Sequence, residues 1–287
     1  MTNDPTATER TILSERTFSC TRERMFRAWT TEEVRLWWGP TGFSNHFFTH
    51  DVRPGGEWRF MMRGPDGKEY PNRSVFSRIV PDERIEFDHF GPDFHTTVIF
   101  TETAAGTHVR WTMEFPTVRE YQAVSPYAIP GNEQNLDRLA AFIAAPPLVV
   151  ETVVDAPVSF VWTALTDPSM MKQWYFDLPG FRAEKGYRFE FDGGPPEKVY
   201  RHLCEVTEVL TKKRLSYTWR YDGYVGNSLV QFELFGEGEK TMVRLVHTGL
   251  ETFPDDQPAF ARANFAAGWE QIIGTSLAEF TKKQRSS

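Results

Sequence analysis

Histidine and cysteine are the residue types of this 287-residue chain best suited to chemistry, with seven of the first and two of the second. His46 and His50 stand four apart. On a helix that spacing would offer one metal ion two imidazoles. This segment alternates as a strand does, and there i and i+4 share a face roughly 13 Å apart, too far for one ion. No second ligand cluster lies nearby, so neither a metal nor a cofactor is expected. His89 and His247 fall on the apolar phase of alternating segments and are expected to point inward. A buried neutral imidazole there can serve as acid, base or hydrogen-bonding partner to a ligand, or can simply bond to a neighbouring strand. Cys20 opens a helix, where a thiolate could be stabilised; filling a small site is the plainer role. Gly64-Pro65-Asp66-Gly67 and Arg53-Pro54-Gly55-Gly56 read as turns, since neither leads into a helix with the lysine a phosphate loop needs. No serine or cysteine nucleophile motif occurs, so no catalytic residue is assigned and an enzyme is the less favoured reading.

These residues sit on a repeat. Residues 15–38 align without a gap on residues 151–174, at an offset of 136, with Glu15/Glu151, Ala28/Ala164, Thr30/Thr166 and Trp38/Trp174 identical. Later segments correspond in order: Gly56-Glu57-Trp58-Arg59-Phe60 with Gly186-Tyr187-Arg188-Phe189, Ile85-Glu86-Phe87 with Leu215-Ser216-Tyr217, and Val109-Arg110-Trp111 with Val243-Arg244-Leu245. Ala144-Ala145-Pro146-Pro147 separates the copies, giving domains 1–145 and 146–287. Each copy opens with a strand (11–19, 148–155). A short helix follows, with Thr21 or Asp155 as candidate N-cap and Pro157 early in the second copy. A second short helix comes next (32–37, 168–174), then about six one-sided strands with a wet outer face. Each copy ends in a helix, Gly131–Ala145 and about Gln257–Lys282. Phe265, Trp269, Ile272, Ile273, Leu277 and Phe280 form one apolar stripe on the second of these. Pro126 and Pro130 predict a break near Ser125–Gly131 in the first.

The formal charge is −7, with 16 basic and 20 acidic residues before Pro146 and 16 and 19 from it onward. Neither half carries the positive stripe that neutralises phosphates, which argues against nucleic acid. No apolar run is long enough to span a membrane, and the N-terminus has no apolar signal segment, so a cytoplasmic location is expected.

Thr21-Arg22-Glu23-Arg24-Met25-Phe26-Arg27-Ala28-Trp29-Thr30 followed by Trp37-Trp38-Gly39-Pro40 resembles the opening of the AHSA-type family, named for homologues of an activator of a heat-shock chaperone ATPase. Asp51–Phe60, Gly64–Tyr70 and Gly131-Asn132-Glu133-Gln134-Asn135-Leu136-Asp137-Arg138-Leu139 resemble its later signatures. The second copy keeps Trp174, Gly186-Tyr187-Arg188-Phe189 and Gly268-Trp269-Glu270, and is similar to the wider START-like, or SRPBCC helix-grip, superfamily. The resemblance implies an α+β fold: two helix-grip domains in tandem, each a curved antiparallel sheet wrapped around a long C-terminal helix, with two short helices after the first strand. It also implies an apolar cavity between sheet and helix. The pocket residues expected in the first copy are Trp37, Trp38, Trp58, Phe60, Met62, Phe87, His89, Trp111, Met113 and Phe142. In the second they are Trp174, Tyr187, Phe189, Tyr217, Trp219, Phe232, His247 and Trp269. The first copy, with more such rings and a broken helix at the presumed mouth, is the expected binder. The expected function is binding or carriage of a small apolar or aromatic molecule. Two alternatives stay open: a co-chaperone or stress-response partner acting by surface contact, and a polyketide-cyclase-like enzyme. The two copies could also pack together as a pseudo-dimer.

Overall fold

The computed structural model describes residues 9–194 and 198–285. The chain divides into two compact units, with the boundary between Ala144 and Ala145.

In the first unit, β1 (Thr11–Phe18) buries Ile12, Ser14 and Phe18. The helix α1 (Arg22–Thr30) starts where the Thr21 hydroxyl accepts from the Arg24 amide, as expected. It buries Met25, Ala28 and Trp29. The one-turn α2 (Val34–Trp37) follows, and the Trp37 indole N–H donates to the Ala28 carbonyl at 3.0 Å, fixing one short helix against the other. Six strands come next: β2 (Ser44–His50), β3 (Glu57–Arg63), β4 (Glu69–Val80), β5 (Arg84–Phe90), β6 (Phe94–Thr103) and β7 (Gly106–Glu114). With β1 they form one antiparallel sheet in the order β1-β7-β6-β5-β4-β3-β2. The chain closes with α3 (Val118–Ala144), which lays Leu136, Leu139 and Phe142 on the inner face.

Two expectations fail here. α3 is unbroken, although Pro126 and Pro130 lie inside it. Both prolines, with Gln122, are on its exposed side, so the carbonyls they free, at Gln122 and Pro126, turn to water instead of breaking the helix. His46 and His50 do not share a face. The register of β2 slips between Phe47 and Thr49, and the bulge turns both Phe47 and His50 onto Trp58.

Arg138 ties α3 to the segment after α2. Its guanidinium donates to the carbonyls of Leu36, Trp38, Gly39 and Pro40 at 2.8–3.1 Å. The Asn135 side chain accepts from the Gly39 amide, and Gln134 accepts from that of Thr41. A loop with no regular hydrogen bonding of its own is thus satisfied by one helix face.

The second unit repeats the plan with one strand fewer. β8 (Leu148–Val154) leads to α4 (Val158–Thr166) and α5 (Pro168–Met171). Asp155 is not the cap of α4: Pro157 holds that place without a side-chain bond, because the helix begins three residues beyond Asp155. Asp167 caps α5 through the Ser169 and Met170 amides. Then come β9 (Arg188–Gly193), β10 (Tyr200–Leu210), β11 (Arg214–Tyr221), β12 (Ser228–Glu237) and β13 (Lys240–Thr248), in the order β8-β13-β12-β11-β10-β9. The terminal helix begins later than expected, after a 3-10 turn at Pro258–Phe260. It runs as α6 (Arg262–Trp269), a π-helical segment (Glu270–Leu277) and α7 (Ala278–Arg285). The outer phase of β11–β13 is not a wet face: Arg214, Glu233 and Arg244 are buried and charge-paired, Glu233 bridging the two arginines at 3.2–3.3 Å.

The Arg138 fan supports a mutational expectation. Arg138→Met should destabilise the first unit by about 2–4 kcal/mol, since several carbonyls lose a charged donor at once. Gln134→Ala, which removes one exposed bond, should cost less than about 1 kcal/mol. Urea unfolding with near-UV dichroism of the tryptophans distinguishes the two; equal effects would mean that Arg138 does not hold the loop.

A ring-lined candidate site in the second unit

The site is built on three strands and the terminal helix. Along β10 the period-2 alternation turns Tyr200, His202, Cys204 and Val206 inward. On β11 it does the same for Tyr217, Trp219 and Tyr221. From the helix come Phe265, Gly268, Trp269 and Ile272. The loop after α5 adds Phe176, whose ring stacks on Phe191 of β9 at 4.3 Å. Between them lies a cavity of about 290 Å³, lined also by Gly193, Gly194, Ala259, Phe260 and Asn264. A side chain on Gly193 would come within 3.0 Å of His202 Cε1, so the bare backbone is what lets the imidazole lie against β9. Gly268 is different: a Cβ there meets no atom within 4 Å.

One hydrogen-bonded chain crosses this interior. The Trp269 indole N–H donates to His247 Nδ1 at 3.0 Å. An indole can only donate, so Nδ1 is bare and the proton of the neutral ring sits on Nε2. Nε2–H then donates to Ser228 Oγ at 2.7 Å, and the Ser228 hydroxyl donates to the Trp219 carbonyl at 3.1 Å. Burial, with the Arg262 charge nearby, pushes the His247 pKa down to about 3. Both its nitrogens are engaged within the protein, so His247 is a structural tie.

Two other buried polar atoms on the cavity wall are not engaged. Trp219 Nε1 and His202 Nδ1 have no hydrogen-bond partner among the described residues. Their rings are 4.7 Å apart, and His202 is stacked flat on Phe191 at 4.3 Å. Burial pushes His202 down to about 4, so its ring is neutral. Tyr221 is raised to about 12, chiefly by burial, and the adjoining Trp219 indole, its side-chain hydrogen-bonding neighbour, tempers the shift. Deeper in, the Tyr175 and Tyr217 hydroxyls bond to each other at 2.7 Å, and burial raises both pKa values well above the ordinary phenol. Cys204 is also pushed well up by burial, which makes its thiol inert.

The first unit fills the corresponding space. Trp38 lies 5.1–5.6 Å from Trp29, Trp37, Trp58 and Trp111, forming a five-indole cluster. Trp37, Trp58, Phe60, Phe87, Trp111, Met113 and Phe142 are buried core, and Met62 packs against it. His89 is at the margin. It stacks on Phe94 at 4.5 Å beside an open cleft of about 410 Å³, with the Pro92 carbonyl at 2.8 Å from Nδ1 and Asn72 Oδ1 at 3.3 Å from Nε2. Burial leads the lowering of its pKa, as alternation implied.

In the second unit Trp174, Tyr217 and Phe232 are core and His247 is fully buried, while Tyr187 and Phe189 pack at the core's edge. Of all the residues that the sequence nominated for a pocket, Trp219 and Trp269 alone line this cavity. Sequence reasoning missed Phe176, Tyr200, His202, Tyr221 and Phe260. The β10 alternation Tyr-x-His-x-Cys-x-Val was the legible signal for two of them.

The registers show which positions correspond. Phe76 pairs with Phe87, and 130 residues on Val206 pairs with Tyr217; a bulge follows in each, between Phe76 and Arg78 and between Val206 and Glu208. At that offset His89 corresponds to Trp219, and Asn72 to His202. The indole bonds correct another pairing. Trp37 donates to Ala28 and Trp174 to Ala164, so Trp174 matches Trp37, and Tyr175 takes the place of Trp38.

An antiparallel sheet gripping a C-terminal helix behind two short helices defines an α+β helix-grip domain, here present twice. Residues 19–144 and 155–282 each match the family model described as Activator of Hsp90 ATPase homolog 1-like protein, and the chain belongs to that family. It is similar to solved structures of single-domain length. Protein CV1439 from Chromobacterium violaceum is 25% identical, with 47% of this chain and 96% of that one covered and a TM-score of 0.43. Protein MLL2253 from Mesorhizobium loti is 27% identical, at 48% and 97% coverage and a TM-score of 0.38. Protein NE0264 from Nitrosomonas europaea is 18% identical, at 48% and 96% coverage and a TM-score of 0.45. No curated protein matches the chain. No helix among the described residues is long and apolar enough to cross a membrane.

The depressed histidines set a pH dependence. With a folded pKa near 3 against about 6.5 unfolded, His247 takes up its proton on unfolding at any pH between those values. Stability is therefore full above about pH 6.5 and falls as pH drops toward 3, at up to about 1.4 kcal/mol per pH unit for this one group. His247→Gln should remove one proton's worth of that slope between pH 6 and 4 in chemical denaturation of the full chain. Parallel curves for parent and variant would show that His247 does not titrate this way.

Proposed function

We propose that the second domain binds a compact, apolar, ring-bearing molecule in the cavity between its sheet and its terminal helix. The observation that carries this is the cavity wall: eight aromatic or imidazole rings, from Phe176, Tyr200, His202, Trp219, Tyr221, Phe260, Phe265 and Trp269, around about 290 Å³. That volume is at the lower end of the roughly 300–1,000 Å³ typical of small-molecule sites, which favours a compact ring system over a long acyl chain. Such a wall offers dispersion and edge-to-face contact to a flat apolar guest.

The polyketide-cyclase-like alternative is less well supported. Catalysis needs a general acid or base aimed at a common point. Among the described residues lining the cavity there is no carboxylate, and the one imidazole is held neutral by burial, with a pKa of about 4. A guest here is held rather than transformed. In the first domain, Trp38 and its four neighbouring indoles occupy the corresponding interior, and this favours the second domain over the first.

Gly268 supplies the test. It lines the cavity and has open space where a side chain would be. Gly268→Leu should project into the cavity and weaken binding of naphthalene, followed by calorimetry, by at least about tenfold. Gly268→Ala should leave affinity within a few-fold while stabilising the helix by up to about 1 kcal/mol. Equal naphthalene affinity in the parent and the leucine variant would rule the cavity out as the site.

A further inference from the structure

The unengaged atoms on the cavity wall say more about the guest. Buried polar atoms are nearly always hydrogen-bonded, because leaving one bare costs about as much as a lost bond. Trp219 Nε1 and His202 Nδ1 belong to residues that line the same cavity and are no more than 5% exposed, and neither atom makes a well-formed hydrogen bond among the described residues. An unpartnered indole alone would be weak evidence. Trp29, Trp58 and Trp111 in the first domain also have bare Nε1 atoms. Those three are packed into a closed cluster of rings, where an indole N–H can rest against a neighbouring π face. Trp219 instead borders open volume, with a second bare polar atom on the ring beside it.

We propose that the guest carries a single carbonyl or hydroxyl oxygen on its ring system, seated against Trp219 Nε1–H and His202 Nδ1. The inference rests on the cavity being the binding site. An indole N–H can only donate, so whatever meets it must accept, and a ring-borne oxygen is the acceptor proposed. His202 can serve either kind of guest. With its proton on Nδ1 it gives a carbonyl a second donor; with its proton on Nε2 it accepts from a hydroxyl whose oxygen accepts from Trp219. Both cases need a neutral guest oxygen within reach of both atoms, and neither needs a charge. A carboxylate is disfavoured, because no cationic side chain is among the described lining residues and a buried unpaired anion is costly. The position has a history within the chain. The first-domain counterparts, His89 and Asn72, meet each other at 3.3 Å, and His89 also meets the Pro92 carbonyl. There both ring nitrogens of His89 have oxygens of the protein beside them, although His89 and Asn72 also border clefts of about 410 and 590 Å³; in the second domain Trp219 Nε1 and His202 Nδ1 have no such neighbour in hydrogen-bonding geometry.

The test compares naphthalene with 2-naphthol and 2-acetylnaphthalene, by calorimetry on the full chain. The quantity read is the ratio of oxygenated to parent affinity, from which the probes' different solubilities cancel when proteins are compared. Trp219→Phe and His202→Phe each remove one polar atom and keep a ring. In each variant the ratio for at least one oxygenated probe should fall by roughly 5–150-fold; naphthalene affinity, which also depends on these wall rings, is measured in the same variant and divides out of the ratio. Dichroism confirms that the variants fold; if one does not, the ratio in the other decides. A ratio unchanged in the variants, with naphthalene still bound and still displaced by Gly268→Leu, overturns the oxygen and leaves the cavity as the site. Failure of every probe to bind overturns both.

Discussion

Each domain hangs on one polar contact made across an otherwise apolar interior, where the terminal helix reaches down to the sheet. In the second domain this is the Trp269 indole on His247. In the first it is Asn132 on α3, whose amide donates to Ser14 Oγ on β1 at 3.2 Å and approaches Met113 Sδ at 3.3 Å. Met113 and His247 occupy matching places, since Val109-Arg110-Trp111 aligns with Val243-Arg244-Leu245. A helix lying on a twisted sheet by hydrophobic contact alone could slide or rotate at little cost, because apolar burial has no direction. A buried hydrogen bond fixes the angle, since losing it strands two polar groups in a low dielectric. In the second domain it fixes more than the angle. The relay through Ser228 ends on the Trp219 carbonyl, so helix position and one wall of the cavity are set together.

The choice of residue at that contact decides what the interior holds. Asn132 is small, and Trp38 comes from the opposite side to fill the first domain. Trp269 is large and fills from the helix side, stacking on Tyr175 and meeting Trp219 edge-on at 5.2 Å. What remains open lies at the end of β9, β10 and β11. Among the described residues the second sheet has no counterpart of β2, and the chain between α5 and β9 carries Phe176 to the cavity. The helix changes winding just beyond Trp269. A π segment accommodates an extra residue per turn, here turning Ile273 and Leu277 into the core and Ile272 onto the cavity.

Much of the fold was legible because it rests on short-range periodicity. Strand alternation, the Thr21 cap, the helical stripe and the order of elements are all local patterns. The errors have particular causes. Helix breaking by Pro126 and Pro130 was expected from proline chemistry alone, and the outcome turned on their lying on the wet side, which no local rule states. The gapless alignment paired Trp38 with Trp174; hydrogen bonding to Ala28 and Ala164 shows a one-residue insertion that identity of residue type had hidden. The bulge in β2 moved His50 to the face opposite the one alternation gave it. The cavity was the least legible feature. It depends on a difference between filled and unfilled volume, contributed by residues from Phe176 to Ile272, and the aromatic content of a copy does not say whether its rings line a space or close it.

His89 and Trp219 show how a single position can lose and keep a free polar group. In the first domain the turn after β5 brings the Pro92 carbonyl to His89 Nδ1, and Asn72 comes from the neighbouring strand to Nε2. Oxygens face both nitrogens, so a neutral ring can donate to only one of them. In the second domain the residue is an indole, whose single polar atom is a donor at the ε position of its five-membered ring. The ring beside it from the neighbouring strand is that of His202, which lies flat on Phe191. Stacking holds His202 in a plane set by β9, so it cannot turn to satisfy the indole without giving up that contact. The cost of two bare polar atoms, about 1–3 kcal/mol each, is within what the surrounding rings contribute by burial. A fold stabilised mainly by aromatic contact can therefore hold a polar pair unsatisfied.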